Sequence, residues 1–176
     1  MTVLYTVAYP FLDERDRSWI ESFRAVHDAP KQKTIAAHFT LVFGCNNVST
    51  GDFLSHTETI VSTTPTIQFC CRYAMLCADL KDDSAYVFLV PDDGYAAISK
   101  LHDRLYTGPL APSLRLDFPY VPHITIGAKQ SRVEAKKLCE ILNEQHLEIS
   151  GVINTITVGS LQDGGFANVA RYQLRG

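Results

Sequence analysis

Apolar and polar residues alternate along "VLYTVAYP", residues 3–10, with β-branched and aromatic side chains on both sides of the alternation. That pattern predicts a strand, ended by Pro10. In "SWIESFRAVHD" the period lengthens, and Trp19, Ile20, Phe23 and Val26 fall on one helical face. Ser18 and Glu21 have capping-box spacing, which predicts a helix starting near Ser18. A polar stretch, "KQKT", reads as loop, and "AAHFTLVFG" then alternates again until Gly44. Phe53, Leu54, Thr57, Ile60 and Val61 form a weaker helical face, followed by two strand-like runs, "TIQFCCRYAMLCADL" and "AYVFLVP", the second ended by Pro91.

The order then repeats. "PDDG", residues 91–94, reads as a turn and helix start, since it lacks the further acidic positions of a calcium loop. A helical face at Tyr95, Ile98, Leu101 and Leu105 is followed by a Pro-rich loop and by "YVPHITIGA". "SRVEAKKLCEILNEQ" predicts a helix with a Ser131/Glu134 capping box and an apolar face of Val133, Leu138, Ile141 and Leu142. Two last strands, "VINTITVGSLQ" and "FANVARYQLR", are joined through Asp163-Gly164-Gly165, a hairpin turn. Each half therefore runs strand, helix, His-strand, helix, strand. From Pro10 to His38 is 28 positions and from Pro91 to His123 is 32. The predicted architecture is α+β: a pseudo-symmetric fold of two lobes, antiparallel sheets lining a central cleft, helices outside. Residues 1–176 form one domain of two intertwined lobes, with two equivalent strands facing each other across the cleft.

Composition narrows the function. At 176 residues, 46% hydrophobic and 20% charged, the chain has the makeup of a globular domain with an ample core. A net charge of −3 argues against a broad basic surface for long nucleic acid, while leaving room for a pocket that binds one phosphate. The amino terminus has no basic leader, and its apolar run is too short for a signal peptide or membrane span, which predicts a cytoplasmic protein. Cys45, Cys70, Cys71, Cys77 and Cys139 are odd in number and contain no C-x-x-C pair, so they read as buried thiols. No H-E-x-x-H or other dense ligand cluster is present, so neither metal nor cofactor is expected.

Candidate chemistry lies in the two histidine segments. Strand alternation puts His38 and Thr40 on one face, with Phe39, Leu41 and Phe43 on the other. It likewise puts His123 and Thr125 opposite Ile124 and Ile126. An imidazole can move a proton near neutral pH, and a hydroxyl beside it can bond a phosphoryl oxygen. Two such units around one phosphorus supply a base for the incoming oxygen and an acid for the leaving one. One His-x-Thr in a strand is most simply a half-buried histidine with a neighbour; two at corresponding places in a duplicated layout point to a site. His27, His56, His102 and His146 have no partner placed by spacing and read as surface or packing residues.

The pair "HFTL" and "HITI" resembles the two-histidine (2H) phosphoesterase superfamily, which includes 2'-5' RNA ligase-like proteins and cyclic phosphodiesterases. The strand ending at Pro10, the Pro122 before His123, the length and the duplication are similar too, with Ala37 standing where a proline is common. The resemblance implies that His38 and His123 are catalytic and that Thr40 and Thr125 hold phosphate oxygens. It implies metal-independent chemistry on 2',3'-cyclic phosphates, RNA ends or small nucleotides; the chain is separately expected to be a monomer. Which histidine is acid and which base stays open. So do the alternatives of a 2'-5' RNA ligase-like activity and of an idle module that binds nucleotides or RNA ends. Tyr120, just ahead of the second motif, is the candidate substrate-binding aromatic, against the plainer role of packing.

Overall fold

The computed structural model describes residues 2–79 and 82–176. In chain order it contains β1 (Leu4–Ala8), β2 (Phe11–Leu12), α1 (Glu14–His27), α2 (Ala29–Thr34), β3 (Phe39–Cys45), α3 (Thr50–Ser62) and β4 (Ile67–Ala78). The second part contributes β5 (Ala85–Asp93), α4 (Tyr95–Leu105), β6 (Ile124–Lys129), α5 (Arg132–Asn143), β7 (Ile149–Ile153), β8 (Thr155–Gln162) and β9 (Gly165–Gln173). Leu80, at the end of the predicted strand over "TIQFCCRYAMLCADL", lies outside the described residues.

The α+β fold with two pseudo-equivalent halves is present, as a single sheet in the order β2-β7-β4-β5-β6-β3-β1-β8-β9. All its pairings are antiparallel. The two motif strands, β3 and β6, are neighbours in the middle of this sheet, where the sequence suggested strands facing each other across a gap. Outward from that centre the strands run β3-β1-β8-β9 on one side and β6-β5-β4-β7 on the other. The helices cross over: α1, which follows β1, packs on β6, and α4, which follows β5, packs on β3. Each motif strand is thus supported by the helix of the opposite half. Beneath them Phe39, Leu41, Ile124 and Ile126 are fully buried and anchor both strands in one core.

Several local expectations are corrected. α1 begins at Glu14, because the Asp13 side chain accepts the amide of Asp16 at 2.8 Å and Glu14 and Asp16 favour the positive end of the helix. Ser18 and Glu21 therefore fall inside the helix and form no capping box; Ser18 Oγ donates to Glu14 at 3.0 Å. Asp16, Ile20 and Arg24 are the buried positions of α1, while Val26 is 73% exposed. The polar "KQKT" stretch lies in α2, started by Pro30 near its amino end. β5 continues past Pro91, which sits at a register shift opposite Cys71 where the ladder does not require its amide. "VINTITVGSLQ" breaks at Asn154, so that β7 pairs with β2 and β4 while β8 pairs with β1 and β9.

In α5 the Ser131 side chain makes no capping bond, and Val133 and Ile141 are exposed; the buried stripe is Ala135, Cys139 and Leu142. The β8–β9 hairpin forms as expected, with Gln162 opposite Gly165. Gly94 opens α4 at φ +82°, where a Cβ would stand 2.4 Å from the Gln68 carbonyl oxygen. All five cysteines are free thiols.

Candidate active site

β3 and β6 overlap at their first residues, pairing Phe39 with Ile124. Continued one residue either way, that register sets His38 opposite Thr125 and Thr40 opposite His123. Side chains directly opposite across an antiparallel pair lie about 4.5–5.5 Å apart at Cβ, and diagonal ones about 7–8 Å. Strand alternation about that pair puts the imidazole and hydroxyl of each motif on the side opposite Phe39 and Ile124. His38, Thr40 and Thr125 line a cleft of about 300 Å³, together with Arg24, Asp28, Lys31, Tyr86, Phe88 and Phe166.

Both histidines are held in the same way. His38 Nδ1 donates to the Ala36 carbonyl at 2.8 Å, and His123 Nδ1 donates to the Val121 carbonyl at 2.6 Å. A carbonyl only accepts, so Nδ1 carries the proton in each neutral ring and Nε2 keeps its lone pair. The His123 ring lies on Phe88, a residue of the cleft lining, 3.6 Å between centroids and 16° between planes; His123 itself is not among the residues that line the cleft. Burial lowers the pKa of both rings, taking His38 to about 4; the carbonyl bonds work in the opposite direction, and Arg24 and His123 lower His38 further. Both imidazoles are neutral at pH 7 in the empty cleft.

Around the motifs, side chains from α1, from α4 and the residue that ends it, and from the segment before β6 bond the backbone. Glu21 accepts the Ala37 amide at 2.7 Å, and Arg24 donates to the Ile35 carbonyl at 2.8 Å, fixing the segment that leads into His38. On β3 the Thr40 carbonyl accepts from Tyr120 at 3.0 Å, the Leu41 carbonyl from His102 at 2.8 Å, and the Phe43 amide donates to Tyr106 at 2.9 Å. The Tyr120 ring is stacked on buried His102, 3.6 Å between centroids. Tyr120 does not line the cleft with His38 and Thr40; its hydroxyl donates to the backbone of Thr40. Of the other histidines, His56 bonds the Leu105 carbonyl and His27 contacts Lys129. Among the described residues no group of His, Cys, Asp or Glu side chains converges to hold a metal ion, and no helix is long and apolar enough to cross a membrane.

Arg24, Asp28, Lys31, Tyr86, Phe88 and Phe166 join the cleft without having been singled out by sequence. A signal existed for Arg24, which lies four residues after Ile20 on the buried face of α1 and is 2% exposed. A charge at a core position usually has a partner or a task.

Comparison with known proteins bears on the family and the fold. Residues 12–165 match the 2'-5' RNA ligase superfamily. No curated protein matches the sequence. Among solved structures, a crystal structure of a phosphoesterase superposes with a TM-score of 0.63 at 16% identity, covering 100% of both chains. Escherichia coli LigT complexed with 3'-AMP gives 0.62 at 17% identity over 99% of each chain. Usb1 of Kluyveromyces marxianus gives 0.59 at 9% identity over 98% of each. At such identities the superpositions speak for the fold, while the family match spans most of the sequence: this chain belongs to the 2'-5' RNA ligase superfamily, the two-histidine phosphoesterases.

Proposed function

We propose that the protein is a phosphoesterase that opens a cyclic phosphodiester, a 2',3'-cyclic nucleotide or an RNA end carrying one, using His38, His123, Thr40 and Thr125. The observation that supports this is the Phe39–Ile124 pair, which joins the two motif strands at the residues next to His38 and His123, with His38, Thr40 and Thr125 lining one cleft. One Nε2 takes the proton of an attacking water as its oxygen bonds phosphorus. The other ring, protonated, delivers its proton to the ribose oxygen as the P–O bond breaks. The two threonine hydroxyls donate to the non-bridging oxygens, where charge develops. General acid-base action of this kind contributes about 10²- to 10⁴-fold, and orientation by the rigid strands adds to it. Residues 1–176 act as one catalytic unit in this reading, since neither half holds both histidines.

The test is turnover of 2',3'-cyclic nucleotides and short RNAs with cyclic phosphate ends, in EDTA, by wild type, His38→Ala and His123→Ala. Activity in wild type that drops at least 10³-fold in each variant supports the two-histidine reaction. Near-normal turnover in either variant removes that histidine from it. Joining of a cyclic phosphate to a 5'-hydroxyl in the same assay would make the ligase direction the function. Binding of a 3'-nucleotide with no turnover of any of these substrates would make the protein a binding module.

A further inference from the structure

Beside the catalytic cleft lies a second groove of about 510 Å³, lined in part by Tyr9, Arg17 and Arg171. The two share Thr34, Ile35 and Phe166 in their linings. His38 stands at the same boundary: it lines the cleft, and its ring lies edge-on to that of Tyr9 in the groove, 6.2 Å between centroids. Sheet register says which way Arg171 leaves its strand. Thr40 is paired with Val7, Val7 with Thr157, and Thr157 with Arg171. Directly opposed residues on adjacent strands project from one face, so Arg171, on the outermost strand β9, leaves the sheet on the face that carries Thr40. Neighbouring strands lie about 4.8 Å apart, which separates the two backbones by roughly 14 Å over three steps. A nucleoside with a phosphate on either side of its ribose, met by the long arginine side chain, bridges such a span.

Arg171 is also the free cation of the groove. Arg17 is paired with Glu14, and the one carboxylate in the lining, Glu21, is held by Arg24 and the Ala37 amide. Arg171 is exposed and makes no hydrogen bond or ion pair among the described residues. Nor does the Tyr9 hydroxyl make a hydrogen bond among them. The two side chains are neighbours, for burial raises the Tyr9 pKa and the charge of Arg171 pulls it back. A guanidinium with its forked N–H donors beside a phenol O–H is suited to one phosphodiester. Phe166, shared by both linings, offers ring surface to a base. A third groove, along Asp13, Asp16 and Glu148 with Arg15 as its arginine, has the wrong sign for phosphate.

We propose that this groove takes the next nucleotide of an RNA chain, with Arg171 and the Tyr9 hydroxyl holding the phosphodiester on the 5' side of the nucleotide whose cyclic phosphate lies at His38 and Thr40. The preferred substrate is then a short oligonucleotide end, at least a dinucleotide, over a free cyclic mononucleotide. When the cyclic phosphate of a terminal nucleotide is held at the motifs, its 5' oxygen carries the rest of the chain away from them, and the groove is where Arg171 meets it. A net charge of −3 suits contact with one such phosphate, in place of the broad basic surface that grips long RNA. This rests on the cleft being the site of the proposed reaction.

The experiment is calorimetric titration of the whole protein with 3'-CMP and with the cytidine dinucleotide that ends in the same 3'-phosphate, beside turnover of the two corresponding 2',3'-cyclic phosphates. Wild type, Arg171→Ala and Arg175→Ala are compared; Arg175 is exposed and does not line the groove, so its removal takes away the same charge elsewhere. Wild type is expected to bind the dinucleotide on the order of 10-fold more tightly, the scale of one charge-assisted contact, and the advantage should shrink as salt rises. In Arg171→Ala the ratio of the two affinities should fall toward one, and in Arg175→Ala it should stay at the wild-type value. Equal affinities in wild type, absence of binding included, overturn the subsite. So does a ratio that Arg171→Ala leaves unchanged, or one that Arg175→Ala lowers as much. A dinucleotide preference that depends on Arg171, with neither cyclic phosphate turned over, would remove the reaction and leave the subsite. Turnover with equal kcat/KM and equal binding for both lengths would remove the subsite and leave the reaction.

Discussion

Glu21 accepts the amide of Ala37 at 2.7 Å while its salt-bridge partner Arg24 donates to the carbonyl of Ile35 at 2.8 Å, so α1 holds the backbone on both sides of Ala36. Ala36 is the residue whose carbonyl fixes His38 Nδ1. Glu21 touches no reacting atom, and its role is to position His38. Glu21→Ala should cost about 1–3 kcal/mol of stability, through the lost bonds and the uncompensated Arg24. It should also lower kcat at least ten-fold with KM little changed, because a loosened imidazole affects the transition state more than the bound ground state. Glu21→Gln keeps an acceptor for Ala37 and should recover part of kcat. Steady-state kinetics on the folded variants checks this, and a loss confined to stability would make Glu21 structural only.

Tyr120 tests the same logic on Thr40, at the other end of the first motif. Its hydroxyl bonds the Thr40 carbonyl and its ring lies on His102, an arrangement that supports β3 where β6 no longer runs beside it. Tyr120→Phe retains the stack and leaves the Thr40 carbonyl without that donor. Stability should fall by about 1 kcal/mol, and kcat should fall several-fold with KM unchanged. A rise in KM with kcat intact would instead identify the hydroxyl as a substrate contact.

The elements that carry the chemistry were legible because their signals are local. His-x-Thr inside a period-2 run fixes which side chains share a face, whatever the neighbours do, and the duplication of that run fixes that there are two. The neighbours of each strand were another matter. "VINTITVGSLQ" has the pattern of one long strand, yet its halves pair at opposite ends of the sheet because β2–β4 and β1–β9 compete for it. Helix starts failed where two caps were available: Asp13 prevails over Ser18 because it stands ahead of an acidic first turn. Asp28, Tyr86, Phe88 and Phe166 enter the cleft from the α1–α2 junction, β5 and β9, segments distant in sequence, so only the tertiary fold assembles them. Arg24 was the exception, visible as a charge four residues from Ile20 on a helix that otherwise buries that face.

Stability should depend on pH through the same histidines. The folded protein holds His38 down at about 4 and also lowers His27, His102 and His123, whereas the unfolded chain protonates near the ordinary imidazole value of about 6.5. As pH falls from about 6.5 toward 4, the unfolded state takes up protons that the folded state refuses, and stability is lost through that window. Asp28 opposes this, its raised pKa letting the folded state bind a proton more readily, but it is one group against four. Urea unfolding at pH 7, 6 and 5 should give a falling midpoint with constant m. In His38→Ala the fall should be smaller.

Activity should respond in the opposite direction over part of that range. The proposed reaction needs one imidazole neutral and the other protonated. In the free enzyme both pKa values lie below the ordinary 6.5, and each ring's charge disfavours the other's. The singly protonated pair is therefore populated on the acid side of 6.5 and lost by roughly ten-fold in kcat/KM per pH unit above it. Toward about 4, where His38 itself protonates, the base disappears and kcat/KM falls again. The two limbs belong to the pair as a unit. Bound phosphate adds a negative charge beside both rings and favours the imidazolium, so the alkaline limb of kcat should lie at higher pH than that of kcat/KM. Profiles of both constants from pH 4 to 9 on a 2',3'-cyclic nucleotide give the check. A kcat/KM maximum above pH 7, or alkaline limbs that coincide, would mean that the two histidines do not divide the acid and base roles between them.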